Sequence, residues 1–103
     1  MIVLVKDPCK AWTAMEIDGS LDSLQQLVDG YIECIPLRDD LVLIVNEEGK
    51  LRNMEINFYM PGDIIVGTAV LAGVSGEDFA DCPRREMVMY AGRYCGIRME
   101  DAR

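Results

Sequence analysis

The sequence predicts an α+β fold: one domain over residues 1–103, a mostly antiparallel sheet with two helices packed on it. Three observations carry this. A chain of 103 residues has room for one core only. Half of its residues are hydrophobic, enough to fill that core. Stretches of strand-like alternation or continuous apolar run are interrupted by two segments of helical period, one early and one late.

Met1 to Lys6 reads as a short buried strand, with Asp7, Pro8 and Lys10 supplying the turn after it. Trp12 to Ile17 alternates and should pair with it as a hairpin. Leu21, Leu24, Leu27 and Val28 then recur at helical spacing, so the helix Ser20 to Asp29 is capped by Ser20 and ended by Gly30. Tyr31 to Leu37 alternates again, and Leu41 to Val45 is a continuous apolar run of strand length. Asn46-Glu47-Glu48-Gly49 reads as a hairpin turn closed by a positive φ at Gly49, leading into a strand Lys50 to Met54, and Asn53 to Pro61 reads as irregular. Asp63 to Val74 has the β-branched content of one central strand, with small residues at Gly67, Ala69, Ala72 and Gly73 that admit a close neighbour. After a loop Ser75 to Phe79, Asp81 is placed to cap a last helix, Pro83 to Cys95, with Gly96 as its stop. Met87, Val88, Ala91, Tyr94 and Cys95 form its apolar stripe, and both helices are expected on one face of the sheet.

The net charge of −8 is uneven, for Glu16 to Glu48 hold nine acids against the single base Arg38. Such a surface repels duplex nucleic acid and anionic membranes, whose binding draws on Lys and Arg. No run of apolar residues is long enough to span a bilayer and no signal segment is evident, so the expected location is the cytoplasm, that of a bacterial host once the likeness below is considered. Cys9, Cys34, Cys82 and Cys95 are widely spaced, without a CxxC pair, and there is no histidine. They read as reduced thiols, with no metal site and no cofactor implied.

The segments Glu16 to Leu37, Leu41 to Leu51 and Gly62 to Gly73 resemble, in order, the family catalogued as domain of unknown function 3846, small proteins of bacteria, phages and conjugative elements. The likeness covers about residues 1 to 80. Its pattern is met by Asp18-Gly19, by Gly30 to Glu33, by Asn46 to Lys50, by Asn57 and by Ile65 to Gly67. The family tends to have proline just before Asn57, where this chain has Ile56. The resemblance implies no activity. It implies a setting, that of accessory proteins which bind and disable host factors or host signals.

Catalysis is not expected. Without histidine, acid–base work falls to a carboxylate pair or a tuned lysine, and a nucleophilic Cys or Ser lacks its commonest base. Glu47 and Glu48 sit adjacent on a turn and diverge into water, and no phosphate-binding glycine string occurs. A ligand pocket is expected from Tyr31, Glu33, Asn57 and Thr68, with Lys50 and Arg52 placed to meet phosphates: Tyr offers a flat ring, and Asn and Glu read base edges. Each residue also has an ordinary structural use, Tyr31 as a sheet aromatic, Asn57 as a turn former and Thr68 as a strand residue. Two function classes follow. One is a sponge that sequesters a small nucleotide-like signal. The other is an acidic module that engages a basic host protein, as an inhibitor or DNA mimic. The apolar strands Leu41 to Val45 and Ile64 to Val70 have edges to protect, so a homo-oligomer is expected, most simply a dimer.

Overall fold

The computed structural model of the chain describes residues 1–98; the last five positions of the expected domain lie outside the described residues. The elements in order are β1 (Ile2–Lys6), β2 (Thr13–Glu16), α1 (Leu21–Val28), β3 (Ile32–Arg38), β4 (Leu41–Asn46), β5 (Ile56–Met60), β6 (Asp63–Val66), β7 (Ala69–Ser75), β8 (Asp78–Ala80) and α2 (Arg84–Tyr90). The main sheet runs β2-β1-β7-β4-β3, with β8 also pairing β7, and its pairings are antiparallel. The α+β class is that read from the sequence.

The continuous apolar runs become the middle of the sheet because both of its faces are covered. Val3, Val5, Val42, Ile44, Val70 and Ala72 point to one face and meet Leu24 and Val28 of α1. Burying each of those two α1 side chains contributes roughly 1.5–3 kcal/mol. Leu4, Leu41, Leu43, Val45 and Leu71 point to the other face and meet Phe58, Ile65 and Tyr90. The helices therefore lie on opposite faces, not together as expected. The second face is shared by α2 and by a separate two-stranded sheet, β5–β6, that the sequence reading missed.

That hairpin accounts for most of the differences. Residues 50–54 form turns rather than a strand, closed by Arg52 N–H to Glu48 O (2.9 Å) and Met54 N–H to Gly49 O (3.0 Å). Gly49 does not take a positive φ. It is small because a Cβ there would lie 2.8 Å from Val66 Cγ2. The stretch read as irregular contains β5, and the run read as one central strand is two, β6 and β7, broken where Gly67 turns at φ 70°. Within the expected loop after β7 lies the start of β8.

Helix α1 keeps its expected start, with Ser20 Oγ accepting from Ser23 N–H at 3.1 Å. Its left-handed cap is Asp29, φ 61°, one residue before the expected Gly30. Helix α2 is shorter than expected and has no side-chain cap, because Asp81 Oδ1 accepts instead from Ile2 N–H at 2.8 Å. Its inward face is also different. Glu86 and Tyr90 are buried, while Val88 and Tyr94, placed on the apolar stripe by spacing alone, are exposed. The Glu86 carboxylate is held by Arg38 through two hydrogen bonds, 2.9 and 2.8 Å, which docks α2 onto the end of β3.

Candidate functional site

The six residues expected to share a pocket fall into three places. Asn57 sits at the irregularity between Ile56 and Phe58, where the register of β5 slips and the side chain turns inward. Its Nδ2 donates to Lys6 O (2.7 Å) and Gly67 O (2.8 Å), and its Oδ1 accepts from Lys6 Nζ (2.6 Å). Lys6 is only 2% exposed, and burial holds its ammonium below the usual lysine range against the opposing pull of Cys9, Asp7 and Cys95. Asn57 is therefore a clamp that fastens the hairpin to β1. Thr68 Oγ1 donates to Asp7 Oδ1 at 2.6 Å and closes the neighbouring turn.

Arg52 belongs to a second place, the end of α1. Its guanidinium donates to Asp29 O (2.6 Å) and Asp29 Oδ2 (3.0 Å), while buried Asn46 donates to Val28 O and Asp29 O. These donors satisfy carbonyls that a helix end leaves without partners. Asn46 Oδ1 also accepts from Glu48 N–H at 2.7 Å and shapes the turn. Gly30 is required beside it, for its φ is 152° and a Cβ would lie 2.7 Å from Asn46 Nδ2.

The third place is the one with an opening. Between β3 and β6 is a notch of about 90 Å³ that brings Glu33 and Lys50 together. Its walls are aliphatic, from Ile35, Val45, Ile65 and Val66, and its polar lining includes Glu33, Glu47, Lys50 and Asp63. Lys50 Nζ lies 2.6 Å from Asp63 Oδ1 and holds that carboxyl below the usual carboxylate range. Glu33 and Glu47 have no ion-pair partner among the described residues, so the polar lining has an excess of negative charge. Exposed Leu51 and Ile64 contribute apolar surface, and Tyr31, 67% exposed, lies just before β3, its carbonyl accepting from Glu47 N–H at 2.8 Å. Asp63 and Ile64 are not marked out by the sequence because β6 and β7 read as one strand, and Leu51 because Lys50 to Met54 reads as a strand rather than turns.

A family model described as domain of unknown function (DUF3846) matches residues 1–95 of the chain. The chain belongs to that family. The DUF3846 motifs legible in the sequence thus have structural uses here: the Asn46 to Lys50 turn supports the end of α1, and Asn57 is the clamp on Lys6. No curated protein and no solved structure matches this DUF3846 chain. Among its described residues, no group of three or more His, Cys, Asp or Glu side chains is arranged to hold a metal, and no helix is long and apolar enough to cross a membrane.

Proposed function

We propose that this DUF3846 protein is a non-catalytic interaction module of the phage or mobile-element type, acting in the bacterial cytoplasm, whose β3–β6 notch takes a basic side chain of a host protein. The observation that carries the reading is the notch itself. Its size suits one lysine or arginine side chain, its aliphatic walls suit the methylene stem, and Glu33 and Glu47 are available to the cationic head. A nucleotide needs a pocket of about 300–1,000 Å³. The side chains meant to read its base, Asn57 and Thr68, are committed to Lys6, Gly67 and Asp7. The acidic module is thus better supported than the nucleotide sponge.

The same reading includes a homo-oligomer. β2 is an edge strand with all four residues exposed and no proline, whereas the opposite edge, β3, carries Pro36 and a register irregularity. Dimerisation is proposed through β2, and light scattering that gives a monomer at high micromolar concentration refutes it.

Binding is tested with a fluorescent Lys-rich peptide. The expected result is association that weakens with salt and is lost in Glu33→Lys/Glu47→Lys, with Tyr31→Ala weakening it less. Incubation with cyclic and ADP-ribose-type nucleotides, followed by denaturation and assay of what is released, is the opposing arm. Intact nucleotide retained at micromolar concentration, with no binding of the basic peptide, overturns the proposal in favour of the sponge, and a chemically altered nucleotide reveals an enzyme.

A further inference from the structure

The stretch 84–98 inverts the charge of the residues before it. Residues 1–83 carry fifteen acids against five bases, a net of −10, whereas residues 84–98 carry four bases against one acid, a net of +3. That one acid, Glu86, does not reach the surface. It is fully buried and turned onto Arg38, so the charge α2 presents to solvent is positive. Arg84, Arg85 and Arg93 are exposed and, with Val88 and Met89, line a shallow hollow of about 570 Å³. Arg85 reaches Glu86 at 3.4 Å, while Arg84 and Arg93 make no ion pair among the described residues. Val88 is 74% exposed, a β-branched apolar side chain left in water among arginines.

We propose that this surface docks a short acidic peptide segment of a protein partner, one that carries an aliphatic residue between its carboxylates. Guanidinium groups match carboxylates in planar two-point geometry. An apolar centre ringed by arginine has the composition of a protein-binding patch. Val88 and Met89 offer a phosphate nothing, but they shelter a leucine or valine side chain. A long polyanion such as nucleic acid extends past the arginines and meets residues 1–83, with their net charge of −10, whereas a short segment stays within them. The site shares no residue with the acid-lined notch and has the opposite sign, so it stands or falls separately from the role proposed for that notch.

The test is fluorescence anisotropy with three labelled probes: a peptide of Glu-Glu-Leu triplets, the same peptide with Ser for Leu, and a thymidine dodecanucleotide. The Leu-containing peptide is expected to bind in the micromolar range, to weaken with salt, and to lose roughly tenfold or more in affinity in Arg84→Glu/Arg93→Glu. Glu33→Lys/Glu47→Lys is expected to bind it at least as well as the unaltered chain. Circular dichroism of the charge-reversed protein checks its fold, and Val88→Ser, which leaves every charge in place, provides a milder variant expected to lose affinity for the Leu peptide alone. No binding at high micromolar concentration overturns the proposal. So does equal binding by the charge-reversed protein, equal affinity for the Ser peptide, or tighter binding of the oligonucleotide.

Discussion

Replacing Arg38 by Met should uncouple α2 from the sheet. The Glu86 side chain is 1% exposed, and its carboxylate is compensated by two short hydrogen bonds from Arg38 and one longer contact, 3.4 Å, from Arg85. The same bonds, first those with Glu86 and then the one with Asp40, raise Arg38 well above the ordinary arginine value. Taking Arg38 away leaves a buried charge without its main partner, which costs about 3–5 kcal/mol. Arg85 offsets part of this, so about 3 kcal/mol is expected, or ~12–24 °C in Tm for a domain of this size. Asp40, 58% exposed on its side chain, is simply rehydrated. The assay is urea unfolding followed by the fluorescence of Trp12, the chain's one tryptophan, which is buried with its ring centroid 6.4 Å from that of Tyr90 in α2. The companion is Arg38→Met/Glu86→Leu, which removes both charges and should recover at least ~2 kcal/mol of the loss. If Arg38→Met costs less than ~1 kcal/mol, or the double variant is no better than the single, the buried pair is not what docks α2.

Three further outcomes are expected. Asp18 accepts hydrogen bonds from Ser23 Oγ and Ser20 N–H, and these pull its carboxyl from the ordinary 3.8 down to about 2; a depressed acid contributes stability above pH 3.8 that is lost as pH falls through about 2. Asp18→Asn should therefore be less stable than the unaltered chain at pH 7, and urea titrations of the two should converge near pH 2; a gap that persists there refutes the assignment. Alkylation followed by mass spectrometry should label Cys9 and Cys95 first, then Cys34, also exposed but with its thiol raised by desolvation and by Glu33, and leave buried Cys82 intact in the folded protein, because burial pushes it up to about 12; early labelling of Cys82 would show that the segment entering α2 opens. Gly73→Ala would set a Cβ 2.1 Å from the Asp81 carbonyl oxygen, so thermal unfolding should fall by more than the ~1–3 kcal/mol usual for overpacking, and an unchanged Tm refutes the close crossing.

The candidate site was only partly legible because its parts obey different rules. Glu33 and Lys50 could be picked out as chemistry-bearing residues near turns, and they do share a notch. Asp63 and Ile64 could not, since a continuous β-branched run does not reveal that a glycine will divide it between two sheets; Gly67, at φ 70°, reads in the sequence as room for a close neighbour, another backbone or a ligand, while its use is the turn. Asn57 was legible as important but not as a clamp, because the partner that explains it, Lys6, lies fifty-one residues away. The arginine surface of α2 and the turn after it is not legible along the chain, where Glu86 interrupts the basic run, because only the fold withdraws Glu86 from the surface.

By itself the sequence determined the fold class, the β1–β2 hairpin, the start of α1 and the overall acidity, which depend on local period, capping chemistry or composition, and the DUF3846 family, through the resemblance of its ordered motifs. Only the tertiary structure decided that the helices take opposite faces, that β5–β6 forms a second sheet, and that Lys6 and Glu86 are buried with their partners. The physical reason is that an apolar period says a side chain will be covered but not by what, and a buried charge is settled only when the fold brings a distant polar group within hydrogen-bonding reach.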